Sequence, residues 1–126
     1  MEISIIGGGI GGLTTALSLH RSGIPCRIFE SVGELRELGV GINLLPHAVR
    51  ELAELDLLEE LRKTAVETSE LCYFNKFGQL IWREPRGVAE GYHWPQFSIH
   101  RGQLQSRWGL TRRIQNHENG QPAPVD

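Results

Sequence analysis

The chain opens on a short apolar run, Glu2 to Ile6 (EISII), stopped abruptly by glycine. Its β-branched residues predict a strand buried on both faces. From Ile10 to Arg21 the apolar residues Ile10, Leu13, Ala16, Leu17 and Leu19 recur at helical spacing, and Gly23 stands where a helix C-cap is expected. Pro25 to Phe29 (PCRIF) predicts a second short strand that ends at Glu30. Strand, glycine turn, helix and strand within thirty residues compose a βαβ unit. Ser31 to Leu45 shows no period and contains Gly33, Gly39 and Gly41, so a long loop is expected there. Pro46 opens a helical stretch to about Thr64, with an apolar stripe of Val49, Leu52, Ala53, Leu55, Leu57, Leu58 and Leu61 and an expected break at Asp56. From Glu70 the pattern LCYFN, KFGQ, LIWRE predicts a β-hairpin around Gly78. Phe97 to His100 is a further candidate strand, and Arg101 to Trp108 begins a helix. Beyond it, Gly109 and the run QNHENGQPAP cannot continue an amphipathic helix, so a disordered tail is expected.

Composition narrows the function classes. The 126 residues suit one modest domain, with 13 basic and 15 acidic side chains and a net charge of −2. No Lys/Arg run marks a nucleic-acid or membrane surface. The N-terminus has no basic n-region, and no stretch approaches the roughly 18 apolar residues of a membrane span. Cys26 and Cys72 are far apart and read as reduced thiols, which predicts a cytoplasmic protein. The five histidines show no ligand spacing, so no metal is expected.

The chemistry concentrates in Gly7-Gly8-Gly9-Ile10-Gly11-Gly12, where Gly7, Gly9 and Gly12 fill the pattern GxGxxG. Gly7 permits a tight turn out of the strand, Gly9 lets the backbone approach a pyrophosphate, and Gly12 lets helix and strand pack closely. The phosphates would then meet the first turn of the helix, including Ile10 and Gly11, where free N–H groups and the helix dipole favour negative charge. Glu30 is placed to accept hydrogen bonds from the adenosine ribose, and its charge disfavours a 2′-phosphate. On these grounds alone NAD fits nearly as well as FAD.

Longer motifs discriminate. GxGxxG followed at fixed spacing by Ala16 and Gly23, together with RELGVGINLLPHAV (36–49), WREPRG (82–87) and PQFSIHRGQLQ (95–105), resembles the FAD-dependent aromatic hydroxylases of the p-hydroxybenzoate hydroxylase type. The nearest resemblance is to the phenazine-carboxylate and salicylate hydroxylase-like branch. It implies an α/β fold: the N-terminal part of a Rossmann-like FAD-binding fold plus the first strands of a substrate-domain sheet. Residues 1–69 would belong to the FAD domain, 70–100 to that sheet, 101–108 to a helix returning to the FAD domain, and 109–126 to a non-family tail. The resemblance also implies FAD as cofactor, NAD(P)H as transient reductant, and O2 and an aromatic compound as substrates. Gly7, Gly9, Ile10, Gly11 and Gly12 would form the pyrophosphate turn and Glu30 the ribose ligand. Arg101 would contact the flavin phosphate or ribityl chain, while Arg36 and the Gly39-Val40-Gly41 backbone would line the middle of the cofactor. Trp82, Tyr92, His93, Trp94 and Phe97 could face an aromatic substrate or serve as plain core.

The chain also departs from that family, because the later DG and GD motifs are absent. A truncated or frameshifted product is expected, inactive alone, with an open apolar edge at Ile3 to Ile6. A non-catalytic dinucleotide-binding remnant is the competing reading. A small NAD-dependent dehydrogenase domain is a third, opposed by the Ala16/Gly23 extension.

Overall fold

A computed structural model describes residues 1–31 and 40–107. Trp108 and the expected tail lie outside the described residues. In chain order the elements are β1 (Ile3–Ile6), α1 (Ile10–Arg21), β2 (Cys26–Phe29), β3 (Gly41–Leu44), α2 (Pro46–Glu54), α3 (Leu58–Thr64), β4 (Val66–Thr68), β5 (Glu70–Phe74), β6 (Leu80–Pro85), β7 (Gln96–His100) and α4 (Arg101–Arg107). They fall into two compact units, Met1–Gly39 with Arg101–Asp126, and Val40–His100.

In the first unit β1 and β2 pair in parallel, from Ile3 opposite Cys26 to Ile6 opposite Phe29. Gly7 extends the ladder by one bond, donating its N–H to the Phe29 carbonyl at 2.7 Å. Leu13, Ala16 and Leu17 form the buried stripe of α1. The helix stops where the sequence predicts. Gly23 donates to the carbonyl of His20 and Ile24 to that of Leu19, both at 2.9 Å, a double closure over the last turn of the helix. One expectation is corrected here. Instead of being buried on both faces, β1 has Ile3 and Ile5 half-buried while Ser4 and Ile6 are exposed, Ile6 by 83%. β2 lies beside it in the sheet and α1 packs against it.

The second unit holds an antiparallel sheet in the order β3-β7-β4. Along β7 the residues alternate. Phe97 and Ile99 join Leu44, Val49, Leu52, Leu57 and Leu61 in a buried apolar core. On the other face of β7, Ser98 donates to Oδ1 of Asn43 on β3 at 2.8 Å and lies 2.7 Å from Oγ1 of Thr68 on β4. The helical stretch breaks at Asp56, whose φ of 61° no α-helix accommodates, and Leu57 closes back onto the Leu52 carbonyl at 3.0 Å. The expected hairpin forms from β5 and β6 around a turn in which Asn75 Oδ1 accepts the N–H groups of Phe77 and Gln79. Much of its apolar surface is open, including Phe77 and Ile81.

The expectation of a loop from Ser31 to Leu45 is corrected at Gly41–Leu44, which form β3. Ile42 and Leu44 turn inward while Gly41 and Asn43 face out, and the strand gains its hydrogen bonds from β7, more than fifty residues later. β4 and a short 3-10 turn at Gly87–Glu90 are further elements that the periodicity does not announce.

These burials predict a sharp contrast in urea denaturation. Leu61→Ala, which empties a fully buried site, should cost about 2–5 kcal/mol. Phe77→Ala, at a site 77% exposed, should stay within about 0.5 kcal/mol of the parent.

Candidate functional site

The glycine turn is built on one close approach. The chain leaves β1 through Gly7 at a φ of 103°, a region that favours glycine. Its carbonyl then points at α1, so that a Cβ on residue 12 would lie 1.9 Å from the Gly7 oxygen and 3.3 Å from Ile5 Cγ2. Only glycine fits at position 12. Gly9, by contrast, caps α1 with ordinary extended backbone and no side-chain cap, and a Cβ there would meet nothing within 4 Å. The first bond of the helix runs from the Leu13 N–H to the Gly9 carbonyl at 2.9 Å. The N–H groups of Ile10, Gly11 and Gly12 therefore have no acceptor within the helix. No acidic side chain stands in that first turn to compete for them. Open space, free amides and the positive end of a twelve-residue helix suit a pyrophosphate.

Glu30 closes the far side of the turn. Its Oε2 accepts the Gly8 N–H at 2.6 Å, and its Oε1 lies 3.5 Å from the Ser31 hydroxyl. The carboxylate thus holds the turn as well as standing at the end of β2. Gln105, which sequence reasoning passed over, donates from Nε2 to the Gly8 carbonyl at 3.0 Å. The available signal was its place four residues after Arg101, on the same face of α4.

The structure thus brings Gly7, Gly9, Ile10, Gly11, Gly12 and Glu30 together. Arg101 is half-buried at the start of α4, within the same unit. Arg36 and Gly39 lie outside the described residues. Val40 and Gly41 fall in the second unit, where Val40 is exposed and Gly41 pairs with His100.

The aromatic candidates separate. Phe97 is core and Trp82 lies on the exposed hairpin. Tyr92, His93 and Trp94 line a cleft of about 520 Å³ with His47, Arg50 and Arg86. Arg50 is held by Glu51, whose hydrogen bond and charge raise the guanidinium pKa. Arg86 pairs with Glu84 while its Nε is buried without an acceptor. Among the described residues, no group of three His, Cys, Asp or Glu side chains gathers to hold a metal ion. No described helix is long and apolar enough to cross a membrane.

Known proteins resemble this chain in sequence and in fold. The profile of the family described as FAD binding domain matches residues 1–121. A phenazine 1,6-dicarboxylic acid hydroxylase from Lysobacter antibioticus is 50% identical over 105 residues, covering 82% of this chain and 26% of the relative. A 3-hydroxybenzoate 6-hydroxylase from Klebsiella oxytoca is 45% identical over 104 residues, covering 80% and 26%. In fold, the chain is similar to p-nitrophenol 4-monooxygenase from Pseudomonas putida, with a TM-score of 0.79 at 23% identity over 91% of this chain and 31% of that one. It is also similar to HpxO from Klebsiella pneumoniae, solved with FAD and uric acid, with a TM-score of 0.67 at 25% identity over 93% and 28%. The chain spans about a quarter of the length of the curated relatives it matches.

The two glycines should respond differently to one added methyl group. Gly12→Ala forces α1 off β1 and should lower stability by about 1–3 kcal/mol or more. Gly9→Ala meets no protein atom and should leave stability within about 0.5 kcal/mol, both read by thermal unfolding.

Proposed function

This chain belongs to the FAD binding domain family of flavin-dependent aromatic hydroxylases, and we propose that its glycine turn holds the ADP half of FAD. The observation that carries this reading is the open space at Gly9, lined by the free amides of α1 and bounded by Glu30. The amides of Ile10, Gly11 and Gly12 would take the pyrophosphate, since donors fixed in advance lose little entropy on binding. Glu30 would meet the adenosine ribose and repel a 2′-phosphate. Arg101, permanently charged and carried on the helix that also touches the turn, would face the flavin phosphate or ribityl chain. Arg36 and the backbone of Gly39, Val40 and Gly41 would line the middle of the cofactor.

When bound, the flavin supplies redox chemistry and O2 activation for hydroxylating an aromatic ring, with NAD(P)H as reductant. That activity is proposed for a whole protein of the relatives' length. The relatives' names include a phenazine dicarboxylic acid and hydroxybenzoate. An aromatic acid would suit the cleft lined by Tyr92, His93 and Trp94 together with Arg50 and Arg86. The chain itself is proposed to bind cofactor at one end without turnover, in a cytoplasmic setting.

Displacement of FAD fluorescence tests the reading on the purified chain. ADP should displace FAD and FMN should not, and Glu30→Gln and Gly9→Ala should each weaken FAD by about tenfold or more. NADH with an aromatic acid should give no oxidation above free FAD. Displacement by FMN but not by ADP would overturn the assignment of the turn to the ADP end.

A further inference from the structure

We propose that Gln105 is a positioning residue that fixes the peptide between Gly8 and Gly9, and with it the direction of the Gly9 N–H in the nucleotide turn. The proposal rests on the reading of this turn as an FAD site. Gly8 is buried, so both polar groups of its backbone need partners inside the protein. The N–H finds Glu30 Oε2 at 2.6 Å, and the carbonyl finds Gln105 Nε2 at 3.0 Å. These two side chains come from distant parts of the chain, Glu30 lying 22 residues from Gly8 and Gln105 97 residues from it.

The need for the second bond follows from the sequence. The peptide from Gly7 to Gly8 is fixed twice, by the packing of the Gly7 carbonyl against Gly12 and by Glu30. The next peptide has glycine on both sides, so sterics scarcely choose between its two orientations. A trans peptide is planar, with its C=O and N–H pointing in opposite directions. Anchoring the Gly8 oxygen on α4 therefore directs the Gly9 N–H the other way. If that peptide turned over, the oxygen would stand where the N–H had been, and a phosphate would meet an acceptor in place of a donor. Gln105 supplies the bond that decides between the two states, from the same helix face that carries Arg101.

The test uses the full chain with Gln105→Leu and Gln105→Glu. FAD and ADP dissociation constants should both rise about tenfold in each variant at pH 7. In Gln105→Glu the loss relative to the parent should shrink as pH falls towards the ordinary carboxyl pKa of about 4.3, because the protonated acid can again donate to the Gly8 oxygen. Gln105→Leu should show no such recovery, which separates positioning from packing. In the ligand-free chain, the ¹³C resonance of the Gly8 carbonyl should move upfield in both variants as the bond is lost. Should Gln105→Leu fail to fold, the near-isosteric Gln105→Glu carries the test. An unchanged Gly8 carbonyl together with unchanged FAD affinity overturns the proposal. A parent chain that binds neither FAD nor ADP overturns the cofactor reading instead, and the carbonyl resonance still decides whether Gln105 holds the turn.

Discussion

The carbonyl oxygen of Gly7 lies only 1.9 Å from where a β carbon on residue 12 would have to be, and the N-terminal unit is arranged around that contact. It lets α1 lie directly against β1, and one turn later Ala16 continues the approach with no exposed surface. The helix therefore starts immediately beyond the end of the strand. Its first amides open at the same point where β2 ends, because the parallel register sets Phe29 beside Ile6. A larger residue at position 12 would disturb the packing, the placement of the helix N-terminus and the approach to Glu30 together.

The two ends of α1 are treated differently, and the difference has functional meaning. At the C-terminus the carbonyls of Leu19 and His20 are closed by Ile24 and Gly23, and the hydroxyl of Ser22 turns back onto Ser18. At the N-terminus there is neither a side-chain cap nor an acidic residue in the first turn. A helix normally satisfies its free amides with such groups. Leaving them available is what an anionic ligand requires. The buried peptide beside them is satisfied by Glu30 and Gln105, so the turn is held from outside while its amides stay free.

Local features were legible in the sequence, and features set by distant partners were not. Each glycine of the turn could be given a role because strand, turn and helix are contiguous, and Asp56 and Gly78 mark breaks through their own backbone chemistry. The position of Glu30 was readable, whereas its bond to Gly8 depends on how two segments meet. Gln105 was invisible for the same reason, over a longer span. β3 has four residues and is stabilised by a strand far along the chain, so glycine dominated its pattern. The run EISII looks alike whether one or both faces are covered, and layer number is a property of the assembled sheet. Phe97 and Trp94 were equivalent as aromatics, yet alternation along β7 buries the first in the core while the second lines a cleft.

The central claim is that the backbone of this turn, and not some other surface, receives the diphosphate of an adenine dinucleotide. Amide resonances of the ¹⁵N-labelled chain, followed as ADP is added, test it most directly. The account predicts that the largest shifts fall on the N–H groups of Gly9 to Gly12, with a smaller response at Gly8 and Glu30. Shifts confined to residues 40–100, with the amides of Gly9 to Gly12 unmoved, would contradict it.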